Sequence, residues 1–188
     1  MIKKMETFNS FLAIDGFRNV KIEDINKFFG AVRREVEDAH VQLFDAQLVA
    51  GWEHLYFAAL NGLNAFRNKT NISKNLAVET LLYASAQRQI EKAVELLGIK
   101  PDSSQVAVLI IADTQQMAVS SLKDVSRLTN GERDDSVLEI TNGKVKSIRE
   151  LFGISDLELE TMLEKEASEK KALIDLVIEH MALLATQR

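Results

Sequence analysis

The sequence predicts an α+β fold: a small mixed or antiparallel sheet packed with several long helices, in a single domain over residues 1–188. Two observations carry this expectation. Apolar residues recur at three- and four-residue spacing over long stretches, the period of amphipathic helices, whereas strand-like segments are few and short. Those short segments do not alternate regularly with the helices, so a βαβ architecture is not indicated. A chain of 188 residues is long enough to bury one sizeable core, and its single proline leaves no proline-rich linker.

Taken in order, Thr7 to Ile14 alternates loosely ahead of Gly16 and reads as a first strand. Ile22, Ile25, Phe29, Val32 and Val36 then mark an amphipathic helix. Val41 to Phe44 reads as a short strand, after which Asp45 is placed to cap a helix running to Arg67. That helix directs Leu48, Trp52, Leu55, Tyr56, Ala59, Leu63 and Phe66 inward. Asn71 to Ile99 reads as nearly continuous helix, with Gly98 at its stop. Gln105 to Ala112 is apolar, β-branched and short, the pattern of a central strand buried on both faces. Asp113 and Gln116 form a capping pair for a helix ending near Asn130-Gly131. Val137 to Ile140 reads as an edge strand, Asn142-Gly143 as a turn, and Ser155 with Glu158 as a capping box after a stop at Gly153. Leu173, Ile174, Val177, Ile178, Met181 and Leu184 line one face of the last helix.

Composition narrows the function. The hydrophobic share of 46% and charged share of 27% are those of a soluble globular protein. With no cysteine there are no disulfides, catalytic thiols or thiolate metal sites, which fits a reducing interior. The longest apolar run, Val106 to Ala112, is far short of the roughly 20 residues needed to cross a bilayer. Met1-Ile2-Lys3-Lys4 begins like a signal peptide, but no apolar stretch of the needed length follows. A cytoplasmic protein with no membrane partner is expected. The net charge of −5 argues against general coating of nucleic acid and leaves room only for a small, shape-specific basic site.

No catalytic constellation emerges. His40, His54 and His180 are scattered without metal-ligand spacing, and His54, between Trp52 and Leu55, reads first as a helix-packing residue. Gly143-Lys144 resembles the end of a phosphate loop, but the preceding glycine is missing and Val145 replaces the hydroxyl residue. Glu132, Asp134 and Asp135 read as solvated loop carboxylates, with a weak divalent-cation site as the alternative. A non-enzymatic protein without cofactor, metal or catalytic residue is expected.

One feature departs from an ordinary core pattern. Ser85, Gln87, Arg88 and Gln89 interrupt the apolar periodicity of residues 71–99, and Ile90, Ala93, Val94 and Leu97 then resume it as a buried stripe. Arg88 and Lys92 are four apart and share a helix face, as do Ser85 and Gln89. A guanidinium is suited to phosphate or to stacking on a base, and a glutamine amide to a base edge. Asn71, Ser73 and Lys74 surround a helix N-terminus, where backbone amides form a natural anion site. The bland alternative is that Ser73 merely caps while Arg88 pairs with Glu91 or Glu95.

The run NISKNLAVETLLYASAQRQIEKAVELLGI at 71–99 closely resembles the small kinase-binding, tRNA-binding subunit of the KEOPS complex. VQLFDAQLVAGWEHL at 41–55, VAVLIIAD at 106–113, ELFGISDLELE at 150–160 and LVIEHMALL at 176–184 fit that family in the same order. One departure is Ala86, where the family pattern leads one to expect glycine. The resemblance implies a non-catalytic subunit of the machinery that installs threonylcarbamoyl on adenosine in certain tRNAs. It also implies two partners, a Bud-type atypical protein kinase and the 3′ CCA end of tRNA. Carried onto this chain, the tRNA-binding residues are Asn71, Ile72, Ser73, Lys74, Arg88 and Gln89, with Lys92 beside them. Tyr83 either stacks on a base or belongs to the core; its spacing allows both. For the kinase, Val177, Met181 and Leu184 of the last helix are the expected apolar patch, unless that whole stripe is core. The alternative function is a protein-interaction subunit that regulates the kinase and its ATP turnover without a major direct RNA role.

Overall fold

A computed structural model describes residues 1–36, 38–164, 168–184 and 186. The class is α+β, as expected. The described helices are α1 (Ile25–Glu35), α2 (Gly51–Arg67), α3 (Leu76–Ala84), α4 (Ile90–Leu97), α5 (Gln115–Thr129), α6 (Asn142–Phe152), α7 (Asp156–Leu163) and α8 (Glu169–Leu184). The strands are β1 (Ile2–Met5), β2 (Ser10–Arg18), β3 (Ala39–Asp45), β4 (Val106–Ala112) and β5 (Glu132–Arg133). The chain forms two compact units, Met1–Ala46 with Gly98–Leu138, and Gln47–Leu97 with Glu139–Arg188.

The first unit holds the whole sheet, antiparallel throughout, in the order β1-β2-β4-β3 with β5 also paired to β2. All seven residues of β4 are buried, as its uninterrupted apolar sequence requires of a central strand. Val108 of β4 stands opposite Asp15 of β2 and Leu43 of β3. Val106, Val108 and Ile110 join Phe17, Leu43, Val32 of α1 and Val125 of α5 in one apolar core.

Several local expectations are corrected. The first strand is β2, starting at Ser10, and β1 precedes it; Lys3 and Lys4 are exposed on that edge strand, where lysines discourage further strand pairing. Gly16 lies inside β2 and does not end it. A β-carbon there would meet the Asp134 carbonyl oxygen at 2.5 Å, because Asp134 N–H donates to Gly16 O (2.8 Å) and Gly16 N–H to Asp135 Oδ1 (3.1 Å). The edge strand expected at Val137 is a 3-10 turn over Asp135–Leu138, and the added strand is β5. Asp45 caps no helix; it accepts a hydrogen bond from Ser103 Oγ (2.8 Å), and a 3-10 turn over Ala46–Leu48 separates it from α2. Thr114, one residue beyond Asp113, caps α5 by accepting from Met117 N–H (3.2 Å). Asn142 and Gly143 form the first turn of α6.

The acidic loop residues have structural partners: Glu132 accepts from Arg18 (3.0 Å) and Asn19 (3.2 Å), and Asp134 from Ser136 Oγ (2.6 Å). Among the described residues no cluster of acidic and histidine side chains is arranged to hold a metal ion.

The second unit is helical. α2 packs on α3 and α8, α3 also on α4 and α8, and α6 and α7 on α8. On α2, Trp52, Tyr56 and Phe66 are only half-buried, and Ala58, Gly62 and Ala65 join Leu55, Ala59 and Leu63 in the close packing. The capping box is as read from the sequence: Glu158 N–H donates to Ser155 Oγ (3.3 Å) and Ser155 N–H to Glu158 Oε2 (2.7 Å), with Gly153 left-handed at φ 67° before it.

Candidate functional site

The expected continuous helix over 71–99 is two helices separated by a helix stop. Ala86 N–H donates to Tyr83 O and Gln87 N–H to Leu82 O, both at 3.0 Å, the paired hydrogen bonds of a Schellman motif. The residue at its left-handed position is Ala86, at φ 50°. The backbone therefore makes the bend for which glycine is usual, with an alanine in its place. α2 ends the same way: Lys69 N–H donates to Phe66 O (3.1 Å), Thr70 N–H to Ala65 O (2.9 Å), and Lys69 has φ 56°. The polar block thus marks where a helix finishes. Its first member, Ser85, is fully buried, with its hydroxyl donating back to Leu81 O (2.8 Å), and faces no ligand. Arg88, Gln89 and Lys92 are exposed. Of the stripe expected to resume after them, Ala93 and Leu97 are buried, but Ile90 and Val94 are more than 40% exposed.

His54 fixes this bend from beneath. Its Nδ1 accepts from Ala50 N–H (3.1 Å), which leaves the proton on Nε2 to donate to Ala84 O (2.8 Å), in the last turn of α3. The ring is completely buried against Phe152, and burial pushes its pKa down to about 4. It is a neutral packing residue, as the sequence indicated. Gly62 brings α2 close to α3: a β-carbon there would meet Thr80 Oγ1 at 3.1 Å.

The loop between α2 and α3 is held by an interior carboxylate. Glu79, 1% exposed, accepts through Oε2 from the N–H groups of Ile72 (3.0 Å) and Ser73 (2.7 Å). Asn75 caps α3 by accepting from Ala77 (2.9 Å) and Val78 (3.3 Å), while Ser73 Oγ accepts from Asn75 N–H (3.1 Å). The expected anion site at this helix start is therefore corrected: two of its amides already hold a carboxylate of the same chain, and the first turn is capped by a side chain. Ser73 is buried as part of that arrangement, Asn71 supports it by donating to Ser73 O (2.9 Å), and Lys74 is exposed.

A cavity of about 140 Å³ opens between the end of α2, this loop and the α3–α4 bend. It is lined by Asn61, Asn64 and Asn68 of α2 together with Glu79, Tyr83 and Arg88; Thr70, Ile72 and Leu184 complete it. Three of the expected tRNA-binding residues, Ile72, Tyr83 and Arg88, thus meet in one place. Asn71, Ser73, Lys74, Gln89 and Lys92 do not line it. Tyr83 serves both readings, being 8% exposed while bordering the cavity. Sequence reasoning missed the three asparagines, although their spacing of three and four already places them on one helix face.

The apolar patch expected on α8 is corrected. Val177 and Met181 are completely buried and Leu184 nearly so, within the packing of α8 against the other helices of its unit. Leu183, 52% exposed, is the large aliphatic side chain that this part of α8 presents outward. No described helix is long and apolar enough to cross a membrane.

An α+β chain with a small hydrogen-bonding cavity, and with no nucleophile–base pair or metal cluster brought together in it, is built as a binding protein. The sequence model of the family described as "Kinase binding protein CGI-121" matches residues 17–185. The chain is also 34% identical over 128 residues to "Regulatory protein Cgi121" of Methanocaldococcus jannaschii, covering 67% of this chain and 80% of that protein. The chain belongs to the CGI-121 family of kinase-binding proteins.

Proposed function

We propose that this chain is a non-catalytic, kinase-binding regulatory subunit of the KEOPS complex, and that it recruits tRNA for threonylcarbamoyl-adenosine modification through the 3′ CCA tail. Family membership and the curated relative's description as a regulatory protein support the kinase-binding and regulatory part. The partner is the Bud-type atypical kinase, and Leu183 is the exposed apolar side chain that α8 offers it. The observation that carries the RNA part is the convergence of Ile72, Tyr83 and Arg88 on a single cavity bordered by amide side chains. Single-stranded ends are gripped by stacking, base-edge hydrogen bonds and a few phosphate contacts, and this lining offers an aromatic ring, amides and a guanidinium. Lys74, Gln89 and Lys92 are exposed on the surrounding segments and serve the flanking phosphates and sugars.

Affinity for intact tRNA compared with tRNA trimmed of its CCA end tests this. The intact molecule is expected to bind at least tenfold tighter, and Arg88→Glu to remove most of that difference while co-elution with the kinase persists. Equal affinity for both RNAs, with co-elution and altered ATP turnover of the kinase, would leave a kinase regulator without a major RNA role.

A further inference from the structure

We infer that Asn61 and Asn68 of α2 read base edges at this cavity, so that the site discriminates base identity at the RNA end as well as the presence of a single strand. The inference rests on the tail-binding reading above. Three asparagines follow one face of α2 at positions 61, 64 and 68, and all three border the cavity. Asparagine is a poor residue for a helix interior, because its amide competes for backbone hydrogen bonds, so such a row contributes nothing to the helix itself. Asn64 Oδ1 is engaged by Arg67 Nη2 (2.8 Å). Among the described residues, the side chains of Asn61 and Asn68 make no hydrogen bond, and both lie on the accessible side of α2.

The lining is chemically suited to a base and unsuited to a phosphate. It carries three neutral amides, the Thr70 hydroxyl, the Tyr83 phenol and the Glu79 carboxyl group against one guanidinium, that of Arg88. A carboxylate in the wall repels a phosphate but accepts from an exocyclic amino group. A primary amide presents a donor and an acceptor side by side, the pair that matches the N6/N7 edge of adenine. A cavity of about 140 Å³ has the size of one nucleobase, not of a trinucleotide. At a helical rise of about 1.5 Å per residue, Asn61 and Asn68 are about 10 Å apart, the reach of about three nucleotides stacked at ~3.4 Å. One base thus enters the cavity while its neighbours run along the asparagine row.

The test uses the full chain and four tRNAs that differ only in the terminal base. Wild type is expected to prefer the natural terminal adenosine about tenfold over the other three. Asn61→Asp and Asn68→Asp keep the side-chain shape but exchange the amide donor for an acceptor; they should bring that ratio close to one while a tailed tRNA still binds better than a trimmed one. Arg88→Glu should weaken all four tails alike. The inference is overturned if wild type binds the four tails equally, or if the aspartate variants retain the preference. Loss of any preference for a tail in wild type would instead overturn the tail-binding reading itself. Circular dichroism checks that the variants fold, and Asn61→Ala and Asn68→Ala repeat the measurement should an aspartate variant fail to fold.

Discussion

His54 shows how a single side chain sets the site without touching it. Its ring hydrogen-bonds the chain at both ends of a 30-residue interval, Ala50 N–H at 3.1 Å and Ala84 O at 2.8 Å, so the start of α2 and the end of α3 are positioned together. The folded pKa of about 4 lies below the ordinary histidine value near 6.5 because burial penalises the cation. The unfolded chain therefore binds a proton at this residue between pH 6.5 and 4 while the folded protein does not. Stability falls as pH is lowered through that window, by about 3 kcal/mol in total from this residue, and is independent of it above pH 6.5. Urea unfolding of wild type and His54→Gln at pH 7 and pH 4.5 checks this. The variant should be less stable at pH 7 but lose about 2–3 kcal/mol less than wild type on acidification; an identical loss in both proteins contradicts the assignment.

At the scale of elements, α3 and α4 were legible as helix and the break between them was not. The apolar periodicity on either side of residues 85–89 stays close to helical, and the usual stop signal, a glycine, is absent. Ala86 occupies the left-handed position instead, at a cost of roughly 1 kcal/mol relative to glycine in that backbone conformation. Ala86→Gly should accordingly stabilise the protein by about 0.5–1 kcal/mol, the relief of the left-handed penalty less the greater freedom of glycine in the unfolded chain. A rise in the urea midpoint with an unchanged slope checks it, and a lower midpoint contradicts it. Where the ordinary signals are present, the reading from sequence was accurate: the Ser155–Glu158 box opens α7, and the unbroken apolar run at Val106 makes β4 the central strand. β1 and the 3-10 turn at Asp135 escaped because each depends on a distant partner, the edge of β2 in one case and the exposed backbone of Gly16 in the other.

Across the whole molecule, the charge of −5 sets the terms on which nucleic acid is bound. A site that contacts two or three phosphates of a single strand should lose affinity with salt at a logarithmic slope of about −2, far shallower than the slope near −10 of a protein that tracks a duplex. Titration of tRNA binding across a salt series measures it, and a slope steeper than about −5 would mean a large basic surface that this chain's composition does not support. The cavity was only partly legible in the sequence. Arg88 and Tyr83 stand in a distinctive run, whereas the asparagines of α2 come into relation with them only when α2 and α3 pack side by side. The Glu79 carboxylate adds a kinetic and entropic consequence to that arrangement. Because it binds the amides of Ile72 and Ser73 from within α3, the loop loses its conformational freedom when the helix forms, not when a ligand arrives. The loop wall of the cavity is preorganised, so little of the interaction energy of an incoming RNA end is diverted into ordering the protein, and its arrival need not wait for the loop to close.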